Sequence, residues 1–377
     1  MDSRLEHSFC VPYNGDINLV RDVVENHVDA VYEFYGTDNA FGSGRWSTPE
    51  DAAPIPDVMR QLDGSGVRFN YLLNSVVLDD YVIRAEELKR HLTMIREAGV
   101  QSVVCTSPIL VDLVKELGFE ACTSLMQHIR SAVAARYHEE LGYDRILVCE
   151  DDIRSSRLIK DMARSSNLPL EVIVDNGCLM ECPFRHTHLT SEGIRRDDFD
   201  SGLRNYMSAF SRQCKQFWHV DPSLFLRTSW VRPEELPKLK ELGVRFFKMG
   251  GRGTPTFSIL KKLSIYKEGW YEGSIFDYLK PHADPAEFFG VEPIDNKSLD
   301  GYFKYFFDGK CTKLCGACTH CDRWARKTVQ LVPGHWRNRP FTGGVGEIVS
   351  TAGRCLAEPA STDAPNTVCF GMREPAK

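Results

Sequence analysis

A parallel α/β chain whose main body is a (β/α)8 TIM-like barrel is the fold class that three observations predict. Apolar β-rich runs alternate with amphipathic helical stretches from about residue 8 to about residue 280. That alternation requires crossover helices and therefore a parallel sheet. The number of repeats suits eight strands better than a six-stranded doubly wound sheet. No G-x-G-x-x-G opens a helix after the first strand, which weakens a dinucleotide-binding alternative.

Taken in chain order, strands are expected at 8–13, 30–35, 67–73, 102–105, 121–125, 145–149 and 170–174, and again at 225–228 and 245–248. Between them the apolar spacing predicts helices at 16–26, 85–98, 110–117, 128–141, 155–164 and 233–242. The last of these opens with a proline near its first turn, where a missing N–H costs nothing. The barrel is assigned to residues 1–280, interrupted at about 176–222 by a polar insertion that follows a strand. In a barrel such an insertion is a βα loop on the C-terminal face, where active sites form. A less regular cysteine-rich region covers 281–330, and an irregular tail rich in Gly, Pro, Thr and Ala covers 331–377.

Composition narrows the function classes. Of 377 residues, 42% are hydrophobic and 26% charged, the balance of a globular protein. No apolar run reaches the roughly 18 residues of a membrane span. The N-terminus has no basic stretch followed by an apolar one, so a cytoplasmic location is expected. There, clustered cysteines bind metal more often than they form disulfides. The net charge of −6 disfavours RNA and favours a small-molecule or peptide substrate.

Seven of the thirteen cysteines fall into two groups: Cys178, Cys182 and Cys214, then Cys311, Cys315, Cys318 and Cys321. Soft thiolates at such short spacings select iron–sulfur clusters or zinc. One or two four-iron clusters are expected, with zinc at the C-terminal group as the alternative. The spacing of Cys311, Cys315 and Cys318 also matches the radical-SAM pattern. That pattern belongs after the first barrel strand, however, and Cys321 would close the position its substrate needs.

Around the first group, Arg185, His186 and His188 are candidates for catalysis or for contacts to cluster sulfides; a zinc knuckle using either histidine is the structural alternative. Glu33 and Glu150, at expected strand ends, are candidate proton-transfer groups. Arg45 in a glycine-rich loop, Asn74, Arg232, and Lys248 and Arg252 at the last strand end are candidate substrate contacts. No G-x-S-x-G, H-E-x-x-H or Walker A motif is present.

Three stretches, residues 176–188 (Asn-Gly-Cys-Leu-Met-Glu-Cys-Pro-Phe-Arg-His-Thr-His), 229–235 (Ser-Trp-Val-Arg-Pro-Glu-Glu) and 243–252, resemble the collagenase-like unclassified peptidase family thirty-two. The resemblance covers roughly residues 5–280 and implies a barrel-like domain with a four-iron cluster held by cysteines. It also implies kinship with oxygen-independent hydroxylation proteins acting on a quinone precursor, transfer RNA or ribosomal RNA, some with prephenate as the apparent oxygen source. The family pattern places four cysteines after the late strand. This chain has only Cys178, Cys182 and Cys214 there, and its second group is additional. The reading that emerges is an iron–sulfur oxidoreductase, most simply an oxygen-independent hydroxylase, needing an electron donor and able to form a homo- or heterodimer. A metal-dependent or cysteine peptidase, a transfer-RNA- or ribosomal-RNA-modifying hydroxylation protein and a non-catalytic electron-transfer subunit are the alternatives.

Overall fold

The computed structural model describes residues 5–44, 48–192, 221, 223–315 and 317–332. Eight strands form one sheet: β1 (Phe9–Pro12), β2 (Val31–Gly36), β3 (Arg68–Leu73), β4 (Ser102–Cys105), β5 (Glu120–Thr123), β6 (Ile146–Leu147), β7 (Leu170–Ile173) and β8 (Val244–Lys248). Their order is β5-β4-β3-β2-β1-β8-β7-β6, and every paired strand is parallel. Isolated parallel bridges, Cys122 with Arg145 and Ile129 with Val148, bring β5 to β6 and nearly close the ring. The chain is a TIM-like barrel.

Period-two alternation along each strand divides the buried residues into two sets. One set faces the surrounding helices and forms the large core. There Leu88, Leu92 and Ile95 line one face of the helix Ala85–Glu97. Full burial of each such side chain contributes roughly 1.5–3 kcal/mol. The other set points inward and is small: Cys10, Tyr35, Leu72, Val104, Cys122 and Phe246. Charges fill the remaining interior. Arg145 donates to both oxygens of Glu33 at 2.6 and 2.7 Å and lies 3.7 Å from Glu171, while Lys248 Nζ is 3.4 Å from Glu171. All four are buried. Buried charges persist only when paired, and these are.

Two expectations need correction. Residues 225–228 are not a strand: 225–227 belong to the helix Ser223–Arg227, and Thr228 lies in the bend after it. A short apolar run is ambiguous by periodicity, and two side chains decide it. Asp221 accepts from Ser223 N at its start. Arg154, buried, donates to the carbonyls of Leu226 within the helix and of Thr228 and Trp230 beyond it, so residues 226–228 need no sheet neighbour. The helix expected over 128–141 is shorter, Ala132–Glu140. Ser124 opens a capping box, and His128 (φ 46°, ψ 55°) ends that turn in the left-handed region. The polar insertion contains a helix the sequence reading lacked, Arg185–Glu192.

Residues beyond the barrel pack back onto it. Arg232 donates to Asp300 and to the Asn296 carbonyl. Trp230, Tyr302, Phe303 and Phe306 surround the Arg154 guanidinium. The helix His320–Thr328 lies against Ser223–Arg227. Among the described residues no helix is long and apolar enough to cross a membrane.

Candidate metal and active site

The turn after β6 organises the C-terminal face. Glu150, Asp151 and Asp152 follow one another in a single helical turn, and all three are buried. Three adjacent buried carboxylates need cations: Arg185 serves both Glu150 and Asp151, and Arg130 and Lys313 serve Asp152. Arg185 places Nη2 2.9 Å from Asp151 and Nε 3.0 Å from Glu150, and donates to the Leu179 carbonyl at 2.6 Å. Asp151 also accepts from Glu181 N at 3.0 Å. Asp152 accepts from Arg130 at 2.8 Å and pairs with Lys313. Arg130 and Lys313 in turn both hold Glu181. These contacts pull the Glu181 carboxyl down to about 2, the Arg130 hydrogen bond first among the causes.

That web locates the cysteines. Cys178 and Cys182 flank Glu181 on the loop after β7, and Cys311 and Cys315 flank Lys313. The Glu181–Lys313 pair therefore ties the two loops together. Burial, with Glu150 adding to it, pushes the Cys178 thiol up to about 11. Cys311, Cys315, Cys318 and Cys321 line one small pocket together with Arg227, Tyr305 and His320. The Tyr305 hydroxyl lies 3.5 Å from Cys318 Sγ, and this contact holds the Cys318 thiol below its usual range. Tyr302 gives its proton to the Leu226 carbonyl at 2.6 Å, which leaves its oxygen to accept from Cys321 Sγ at 3.4 Å. Arg227, anchored on Asp322, supplies a cation beside these sulfurs. His320 bonds the Tyr302 carbonyl and stacks on Tyr305 with ring centres 4.1 Å apart.

The family model for peptidase family U32 matches residues 15–271, well over half of the chain. The chain belongs to peptidase family U32. An uncharacterized protease, MJ1657, of Methanocaldococcus jannaschii is 24% identical over 324 residues, covering 84% of this U32 chain and 94% of the relative. Among solved structures, the U32 peptidase Mk0906 is similar over 66% of this chain and 92% of its own, at 14% identity and a TM-score of 0.43. The tryptophan synthase A-subunit of Pyrococcus furiosus is similar over 73% and 98%, at 8% identity and a TM-score of 0.38.

The remaining candidate residues of this U32 chain scatter. Glu33 lies in mid-strand, not at a strand end, and its carboxylate is taken by Arg145 and Asn70 inside the barrel. Lys248 is buried over the Tyr35 ring at 4.2 Å. Arg232 is committed to Glu235 and Asp300. Asn74 accepts from Gly44 N at 2.8 Å, and Arg252 is half-buried in the loop after β8. His188 lies 3.5 Å from Glu192 on its own helix. His186 is exposed, its ring 4.4 Å from that of His128. Arg45 and Cys214 lie outside the described residues. Sequence reasoning missed Arg130, Lys313, Arg227 and the tyrosines. Only the aromatic run Tyr302-Phe-Lys-Tyr-Phe-Phe307 just before the second cysteine group could have pointed to the last.

Proposed function

We propose that this U32 chain is an iron–sulfur oxidoreductase whose four-iron cluster is held by Cys311, Cys315, Cys318 and Cys321, and that it performs an oxygen-independent hydroxylation or related group transfer on a small molecule or peptide. The observation that carries the reading is the convergence of these four thiols on one pocket beside a cation. Four thiols from one short segment are ligands that a four-iron cluster accepts, and a zinc tetrathiolate uses the same donors.

When bound, the cluster supplies one-electron transfer at a potential tuned by its surroundings. The chain's own residues do the rest. Arg227 offsets thiolate charge, and Tyr305 donates to Cys318. Glu181 and Lys313 hold the second loop against the loop after β7, so the centre sits beside the C-terminal face of the barrel. Arg185 keeps Glu150 and Asp151 neutralised there. An electron donor and a substrate are implied.

The test is optical and magnetic. Protein isolated without oxygen should be brown, bleach with dithionite and then give a four-iron EPR signal, and Cys318→Ala should lose all three. Colourless wild-type protein that also fails reconstitution with iron and sulfide would remove the proposal.

A further inference from the structure

Away from the four-cysteine pocket, three donors of different elements meet at the mouth of the barrel. His128 ends the turn after β5, Cys149 leaves β6, and Glu150 follows it. Cys149 Sγ lies 3.8 Å from His128 Nδ1 and 3.8 Å from Glu150 Oε2, and the three ligand atoms are mutually within 4.8 Å. We propose that His128, Cys149 and Glu150 form a mononuclear site for a borderline divalent cation, zinc by its donor set, with one coordination position left open.

The geometry fits this ion. With Zn–S of about 2.3 Å and Zn–N or Zn–O of about 2.0–2.1 Å, a tetrahedral centre sets sulfur about 3.5–3.6 Å from its nitrogen and oxygen neighbours. The observed 3.8 Å separations need only a few tenths of an ångström of contraction. One thiolate, one imidazole and one carboxylate are ligands zinc accepts, and three protein ligands with a free position are the pattern of catalytic zinc.

The supporting contacts suit ligands rather than core packing. Cys149 and Glu150 are almost fully buried. Glu150 uses its two oxygens differently. Oε2 faces Cys149, and Oε1 lies 3.0 Å from Arg185 Nε yet makes no hydrogen bond of good geometry. Asp151 fixes that guanidinium from its other side. Arg185 orients the buried carboxylate from the Oε1 side, and Oε2 accepts from the Cys149 thiol, a contact that a cation shared by thiolate and carboxylate would replace. His128 adopts a left-handed backbone that a non-glycine residue visits rarely, and its turn aims Nδ1 at the thiol. It is half-exposed and borders the exposed His186, so solvent reaches the side where the open position would be.

A second inward cluster has the same residue types, Cys10, Glu33 and Glu171, but Arg145 and Lys248 already neutralise it. Arg185 also pairs with Glu150, but at Oε1, while Oε2 is the oxygen that faces Cys149. The inference is independent of the iron cluster.

The experiment uses the full chain, isolated without oxygen, treated with a chelator and dialysed against micromolar zinc. Zinc per chain is measured with the zinc-edge X-ray absorption spectrum, beside Cys149→Ser, His128→Gln and Cys315→Ser. The proposal expects one zinc with a single sulfur in its shell, lost in Cys149→Ser and in His128→Gln and kept in Cys315→Ser. His128→Gln, at a half-exposed position, should fold, which circular dichroism checks. Zinc content unchanged in both site variants, or a shell of three or four sulfurs, would overturn it.

Discussion

Lys313 Nζ lies 3.1 Å from Glu181 Oε1, and each residue sits between two cysteines of its own loop. One ion pair thus joins the two cysteine groups, 132 positions apart in sequence. Lys313 also reaches the buried Asp152, and Glu181 also holds Arg130, so the pair belongs to a network centred on the turn after β6.

Removing the tether should loosen the second loop without unfolding the barrel. Lys313→Ala is expected to change global stability by no more than about 1 kcal/mol, since the pair is partly solvent-exposed. Amide exchange over residues 311–315 should nonetheless accelerate. Unchanged exchange there would mean that the ion pairs do not hold the loop.

Arg154 presents a stronger case. Its buried guanidinium satisfies the carbonyls of Leu226, Thr228 and Trp230. Arg154→Met leaves the Trp230 carbonyl unpaired and takes one of two donors from the Leu226 and Thr228 carbonyls, which keep Tyr302 Oη and Trp230 N. A loss of about 1–3 kcal/mol is expected in urea unfolding. The four cysteines should lose metal as well, because Arg227 and Tyr302 are set by the same segment.

Inside the barrel, Glu33→Gln should destabilise by about 3 kcal/mol by leaving Arg145 short of its main partner. Glu33→Gln with Arg145→Met should recover part of that loss. Bound metal per folded chain should be unaltered in both, in keeping with a packing role. A barrel as stable as wild type after Glu33→Gln would contradict this assignment.

The Tyr305 hydroxyl near Cys318 predicts an electrochemical effect. Hydrogen bonds to cluster sulfur favour the more negative, reduced state and raise the potential. Tyr305→Phe should therefore shift the midpoint to a more negative value at unchanged iron content. A midpoint equal to that of wild type would show that the contact is not made to a bound thiolate.

Much of the architecture was legible because strand–helix alternation and apolar periodicity are local signals. The strands β1 to β5 fall within a residue or two of where the sequence puts them. The failures have a common cause. Residues 225–228 read as a strand, yet Arg154, some seventy positions earlier, takes their carbonyls. Glu33 read as a catalytic acid, but its inward register and Arg145 make it part of the interior. The cysteine spacings that carry the metal proposal are visible in the sequence, since neighbouring residues are encoded locally. His128 with Cys149 left no trace in the sequence: a left-handed turn and a strand end meet only once the barrel forms.

The most direct test of the central claim is iron, acid-labile sulfide and zinc counted together in protein isolated without oxygen, for wild type, Cys178→Ala and Cys315→Ala. About four irons and four sulfides per chain attributable to the second group are expected, lost in Cys315→Ala and kept in Cys178→Ala. Iron retained in full by Cys315→Ala, or zinc in place of iron in the wild type at that group, would contradict it.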